Sequence, residues 1–383
     1  MLLGPHPPGL IWPLWVFVLL FVDKVISIEG VLDLGAAPKS FPIITGFYDK
    51  VPKINIRQGQ SEIWTWDANT GLSHVPVGLQ RCIKGGVSAT EVKFAARGKK
   101  IVAIIGNSAV VINHAPGAVV DKTVDFAVCL SGKLAAAHTA ELLPGNLLAV
   151  ATTGQQKDAG VWVYDASKMV ASPQPVQQLP GVRAIHGMLW DQQIQTLWVT
   201  GNTDAADGTG GTAYGIVQGY KYDKSSRRLT ESTGYTISFA RRLSSEWDGA
   251  FAKWWNGPHD LVPVPSKRIL LFPMDRDIHA VDLSTGTFNH SGAKLAAEYL
   301  KGFRAVDNRI GYDGEALPRS DIKSISLHPD GGALYTQAPW RAPSGLASQV
   351  NLLSPSGVYS YFYKGQTIYR SRVFAEIPGW PTA

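Results

Sequence analysis

Apolar and polar residues alternate in short runs along most of this chain, and the runs return at a regular interval. The stretch 61–67 (SEIWTWD) alternates apolar and polar residues, which marks a strand with one buried face, and Ala68-Asn69-Thr70-Gly71 supplies the turn that follows. Between 89 and 131 the pattern predicts four strands, near 90–95, 101–105, 109–113 and 123–129. The order repeats over 136–180 as HTAELLPG, LLAVATT, GVWVYDAS and VQQLP. Further units occupy 184–239, 257–303 and 321–383, the last ending in QTIYRSRVFAEI, a strand suited to closing a ring. The excursion at 202–211 (NTDAADGTGG) is too polar and glycine-rich for a core element. Four short strands roughly every 45 to 60 residues, with a recurring Asp-turn after the third (TWDANTG, VYDAS, AVDLSTG), form the pattern of a β-propeller. A single blade cannot bury both faces of its sheet, so blades stack, and closing the circle removes the exposed ends. The expected fold is all-β, with six four-stranded antiparallel blades; a seventh would have to be assembled from 40–88 and the C-terminal strand.

One stretch, WWNGPHDLVPVP at 254–265, sets the frame for the chemistry. His259 stands at the mouth of a strand, and His138, His186 and Lys323 open segments of the same shape. EVKFAARGKKIVAII fits that frame with Glu91 in the lead. The innermost strand of each blade lines the axis of a propeller, so these five side chains are expected to converge. They are 47 to 73 residues apart along the chain, which excludes a local motif such as H-E-x-x-H. Three imidazoles suit a base near neutral pH or the ligation of a divalent metal. His138, His186 and His259 are therefore candidates for both roles, with Lys323 as a fourth catalytic group and Glu91 as charge partner. The alternative is that polar residues at the strand mouths cap the channel and hold water.

Composition supports the β reading: of 383 residues 45% are hydrophobic and 17% charged, with 39 glycines and 24 prolines. A net charge of +6 favours anionic partners weakly, but no Lys/Arg run exceeds three residues, which argues against nucleic acid. Residues 10–22 (LIWPLWVFVLLFV) are apolar yet short of the roughly 20 needed to span a bilayer, so 1–27 reads as a secretory signal and 28–44 as an extended leader before one propeller domain at 45–383. An uncleaved anchor is the alternative. Secretion, with no lasting membrane insertion, agrees with a single N-x-S/T acceptor at Asn289 and with two cysteines, Cys82 and Cys129, placed to pair; two separately buried thiols are the alternative.

HTAELLPGNLLAVATT, HGMLWDQQIQTLWVTG, PHDLVPVP and DIKSISLHPDGGALYTQA resemble successive blades of a secreted bacterial and fungal propeller family of unknown function, over about residues 55–345. That resemblance implies a fold and no chemistry. In architecture and a histidine-lined centre alone, the chain is similar to the propeller polysaccharide lyases, among them oligogalacturonate lyase with its histidine-held metal. The His-His-x-Gln cluster of that enzyme does not occur here. β-Elimination from a uronate needs its carboxylate neutralised and a base for the adjacent proton. Lys323 and the histidines would supply both. Trp247, Trp254, Trp255 and Trp340 offer platforms for sugar rings, unless they wedge between blades, and Arg241, Arg242 and Arg341 offer partners for acidic groups. A Glu91/Asp260 or Glu91/Glu141 glycosidase pair is disfavoured, because alternation turns Asp260 away from His259. The expected protein is a secreted monomer that acts on acidic glycans as a lyase or hydrolase; the alternative is a propeller that binds glycan or protein without turnover.

Overall fold

The computed structural model describes residues 41–243, 251–342 and 344–383. Its strands form six four-stranded antiparallel sheets arranged as the blades of a propeller. Five blades are built by four consecutive strands, wound from the axis outward. The first is composite: Ile43–Phe47, Lys53–Gln58 and Ser61–Asp67 are joined on the inner side by Ile368–Val373. The C-terminal strand thus closes the ring, and 40–88 contributes the outer strands of that blade rather than a seventh one. The propeller begins at Ile43, two residues before the expected boundary, with Ile43 and Ile44 buried. The segment read as a secretory signal, 1–27, and most of the expected leader lie outside the described residues.

Stacking of the blades accounts for strands such as KIVAII and LLAVAT, which are apolar on both faces. Ile101, Ala103 and Ile105 pack towards the first blade, while Val102 and Ile104 pack towards the third. Likewise Leu148 and Val150 face the second blade, whereas Leu147, Ala149 and Ala151 face the fourth. Burying each large aliphatic side chain in these seams contributes about 1.5–3 kcal/mol relative to exposure. The outermost strands need only one apolar face, as Arg228–Thr236 shows.

Cys82 and Cys129 form a disulfide, with their Cα atoms 5.5 Å apart, tying the helix Val77–Lys84 to the outer strand Val124–Cys129. Asn289 is exposed at the end of the edge strand Thr287–Asn289. The polar excursion at 202–211 is tied down rather than loose: Ala205 and Ala206 are buried, Asp204 pairs with Arg183, and the Ala206 amide donates to Gln155 Oε1 at 2.6 Å. No described helix is long and apolar enough to cross a membrane.

Candidate functional site

The same irregularity recurs where the inner strands enter the axis. In the second, third and sixth blades the inner strand carries one residue more than its neighbour: Thr90, His138 and Lys323. Tyr369–Arg370 span the equivalent bulge in the first blade, His186 lies in a larger one in the fourth, and His259 follows the bridge Pro258–Met274 in the fifth. A bulge re-aims the side chain at the extra position. Here it places one ring of groups at the mouth. His138 and His186 lie 4.9 Å apart by ring centroid, His186 and His259 5.3 Å, and His138 and Tyr369 5.1 Å. Lys323 Nζ stands 3.2 Å from His259 Nε2.

Glu91 does not share this ring. Thr90 holds the lead position in its blade, and Glu91, one residue further on, is fully buried beneath the mouth. There it accepts from Arg370 Nη1 at 2.6 Å and Arg372 Nε at 3.0 Å. Asp260 points to the same layer instead of away from it, gripped by Arg372 at 2.8 and 3.1 Å. Lys93 bonds Glu141 at 2.7 Å further down. Burial raises the Glu91 pKa, but Arg370, Arg372 and Lys93 outweigh it and bring it to about 2. These acids and bases neutralise one another as a plug and leave no glycosidase pair facing a cavity.

Sequence reasoning missed Asp275 and Asp321 in the cavity lining and Arg370 beneath it. The Arg370 guanidinium donates to the backbone carbonyls of His138, His186 and His259, two of these bonds being 2.7 Å long, and so floors the mouth. The channel is therefore a cup. The only hint in the sequence was the period-two pair Arg370 and Arg372 in an otherwise ordinary strand.

His138 Nδ1 lies 2.7 Å from the Ala136 carbonyl and His186 Nδ1 2.9 Å from that of Ala184. A carbonyl only accepts, so both Nδ1 atoms carry the proton and the neutral rings keep a lone pair on Nε2. Ala136 and Ala184 adopt left-handed backbone (φ 58° and 47°), which turns those carbonyls towards the rings; Asp321, at the same offset before Lys323, has φ 56°. Backbone of this kind costs on the order of 1–3 kcal/mol and persists where the surroundings impose it. Burial, and then neighbouring positive groups, lower the His138 pKa to about 4 against the pull of the Ala136 bond. Burial also holds His186 well below its ordinary value, with His138 and His259 adding to the effect.

His259 Nε2 lies 2.8 Å from Asp275 Oδ1, so Nε2 donates; Lys323 Nζ donates to Asp321 Oδ1 at 2.8 Å. Burial alone would raise the Asp275 carboxyl, but His259 and Lys323 hold it below its usual range.

These groups form one side of a cavity of about 340 Å³. His186, His259, Lys323, Asp275 and Asp321 face Phe251, Trp254, Trp255 and Leu243, with Arg341 at the edge. Pairing of Arg242 with Trp255 and the bond from the Leu243 amide to the Trp254 carbonyl brace the aromatic wall. Arg242 stacks behind Trp255 at 4.1 Å, and Trp340 packs behind with Leu243, Leu317 and Trp254. His138, Arg242 and Trp340 thus support the cup without lining it, and Arg241 lines a separate cavity. Trp247 lies outside the described residues. Asn202, Trp255 and His259 line the cavity, but their Oδ1, Nε1 and Nδ1 atoms are buried behind its surface without a hydrogen-bond partner.

No family model and no curated protein matches the chain. Solved structures similar to it include a putative TolB from Agrobacterium tumefaciens (13% identity, 86% of this chain and 91% of that one, TM-score 0.42). A chain of the mitotic checkpoint complex gives 13%, 91%, 88% and 0.42 on the same measures. The periplasmic gluconolactonase PpgL of Pseudomonas aeruginosa gives 14%, 90%, 98% and 0.42. Likenesses this distant carry no functional argument.

The donor atoms do not fit the expected metal. Among the described residues the three histidines do not form a compact ligand set; the group whose ligand atoms lie within 4.8 Å of one another is His259, Asp275 and Asp321. The Lys323 ammonium already stands against two of its members, where a divalent ion would have to displace it.

Proposed function

We propose that the cup binds one sugar unit of an acidic glycan and acts on it as a lyase or hydrolase. The observation that carries this reading is the composition of the cavity, in which His186, His259 and Lys323 share the lining with Trp254 and Trp255. A pyranose offers donors and acceptors on adjacent hydroxyls together with an apolar face for tryptophan. Lys323 and Arg341 are cations for a uronate carboxylate. In an elimination, His186 Nε2 takes the proton next to that carboxylate, the electron pair forms the ring double bond, and the glycosidic oxygen leaves with its bonding pair and takes a proton from water, the hydroxide so formed being neutralised when His186 gives up its proton. The disulfide supports an oxidising, extracellular setting.

The test is incubation with polygalacturonate, alginate and glycosaminoglycans while following ultraviolet absorbance of the unsaturated product. His186→Ala and Lys323→Ala are expected to lose at least a hundredfold of the rate, in the range of general acid–base catalysis. A second reading, binding without turnover, is favoured by the depressed His186, since a base so reluctant to protonate is a weak one. Calorimetric binding of these glycans with no absorbance change would establish it.

A further inference from the structure

The chain runs on past the strand that closes the ring. After Ile368–Val373, residues 374–383 join no sheet and cross the end of the axis remote from the cup. There the stretches 188–190, 261–263 and 325–327, which follow His186, His259 and Lys323 along the chain, line a cavity of about 90 Å³. Lys93, Glu141 and Arg372 of the plug form one side of it; Ala375, Ile377, Trp380 and Thr382 form another.

Phe374 is still fixed to the ring, its amide on the Pro42 carbonyl at 2.8 Å and its ring against Phe94 and His114. Beyond it the tail is held at turns. In the fifth blade the Ser266 amide donates to the Pro378 carbonyl at 2.7 Å, and the buried Trp380 donates from Nε1 to the carbonyls of Val264 and Lys267 at 2.9 and 3.2 Å. Arg268 lies over the Trp380 ring at 4.2 Å and pairs with Asp191 of the fourth blade. In the second blade the Arg97 amide donates to Thr382 Oγ1 at 2.9 Å. The tail also folds on itself: Glu376 accepts from the Thr382 hydroxyl and amide at 2.7 and 3.1 Å, and Ile377 bridges to Trp380.

We propose that residues 375–383 are a detachable seal on the far end of the axis, which leaves and returns as one body while the ring stays closed, and whose departure admits water to the ion-paired plug. The ladder that closes the ring lies wholly within Ile368–Val373, so release of the tail breaks none of its bonds. A chain end attached through a few turn contacts is the kind of segment that opens locally, below the cost of global unfolding. What it covers depends on dryness: burial holds the Glu141 carboxyl above its usual range although Lys93 bonds it.

Hydrogen exchange read by mass spectrometry on the full chain tests this, comparing the wild type with Trp380→Ala and with the milder Thr382→Ala, which lifts only the second-blade anchor. Amides of 188–190, 261–262 and 325–327 are expected to exchange roughly tenfold faster in Trp380→Ala, and by a smaller factor in Thr382→Ala, while those of Ser108–Asn113 in the core of the second blade keep their wild-type rates. Unchanged exchange at both sets in Trp380→Ala overturns the seal, since the tail then does not govern access to the axis. An equal rise at both sets overturns it as well, because the tail would then hold the whole fold. Should Trp380→Ala fail to fold, Thr382→Ala decides by the same two comparisons.

Discussion

At the residue scale, burial lowers His138 at the mouth and ion pairing lowers Glu91 in the plug, and acid stability follows. His138 stays neutral in the fold down to about pH 4, whereas the unfolded chain protonates it below its ordinary 6.5. Stability from this group is complete above 6.5 and is lost as the pH falls towards 4. Glu91, at about 2 in the fold against 4.5 unfolded, adds a contribution on the order of 3 kcal/mol that is complete above 4.5 and lost on the way to 2. Thermal unfolding followed from pH 7 to pH 2 should therefore decline over both windows. His138→Gln should make the upper decline shallower, with His186 and His279 supplying the remainder. Glu91→Gln should remove the lower but cost about 3–5 kcal/mol at pH 7, because Arg370 would be left buried without its carboxylate and Arg372 would keep Asp260 alone. A wild-type curve that is level between pH 6.5 and 4 would contradict the neutral assignment of His138.

At the scale of elements, the recurrent bulge explains why the frame read from the sequence placed three histidines and the lysine together and put Glu91 one residue out. Pattern comparison aligned EVKFAARG with HTAELLPG because both begin with a polar residue before an apolar run. The structural equivalence is Thr90 with His138. Side chains alternate with a period of two, so one residue decides between the ligand cup and the ion-paired plug. The same extra residue brought Asp260 onto the axis. The disulfide is a different kind of element, a staple at the periphery closing a 47-residue separation. Cys82→Ala with Cys129→Ala should lower stability by about 2–4 kcal/mol in denaturant titrations, while the glycan binding proposed for the cup is unchanged. Lost binding at full stability would mean that the second blade transmits more to the mouth than this geometry implies.

At the scale of the whole molecule, ring closure and the floor of the cup depend on one strand. Ile368–Val373 pairs with Ile43–Phe47 and carries Arg370, whose guanidinium joins the inner strands of the second, third, fourth and fifth blades through Glu91 and three carbonyls. Arg370→Met should therefore destabilise the protein by about 3–5 kcal/mol in chemical unfolding, as loss of one partner from a buried pair does. An Arg370→Met protein as stable as wild type would show that the plug fills the axis without holding it.

Much of the architecture was readable along the chain because a propeller repeats a local solution. Apolar runs, Asp-turns and a C-terminal strand without a partner of its own specify blades and a closed ring through nearest-neighbour burial, and the unit count follows from the period. His186, His259 and Lys323 were found because equivalent positions in a repeat converge by symmetry. Asp275, Asp321 and Arg370 were not, because nothing in their spacing distinguishes them from surface or strand residues. Their roles arise where loops and strands distant in sequence meet: Asp275 against His259, Asp321 against Lys323, Arg370 beneath three carbonyls. Hydrophobic periodicity decides which elements form and which faces they bury. Only the bulged registers and the loop contacts decide which polar groups share a cavity, because those depend on single-residue offsets that leave the apolar pattern unchanged.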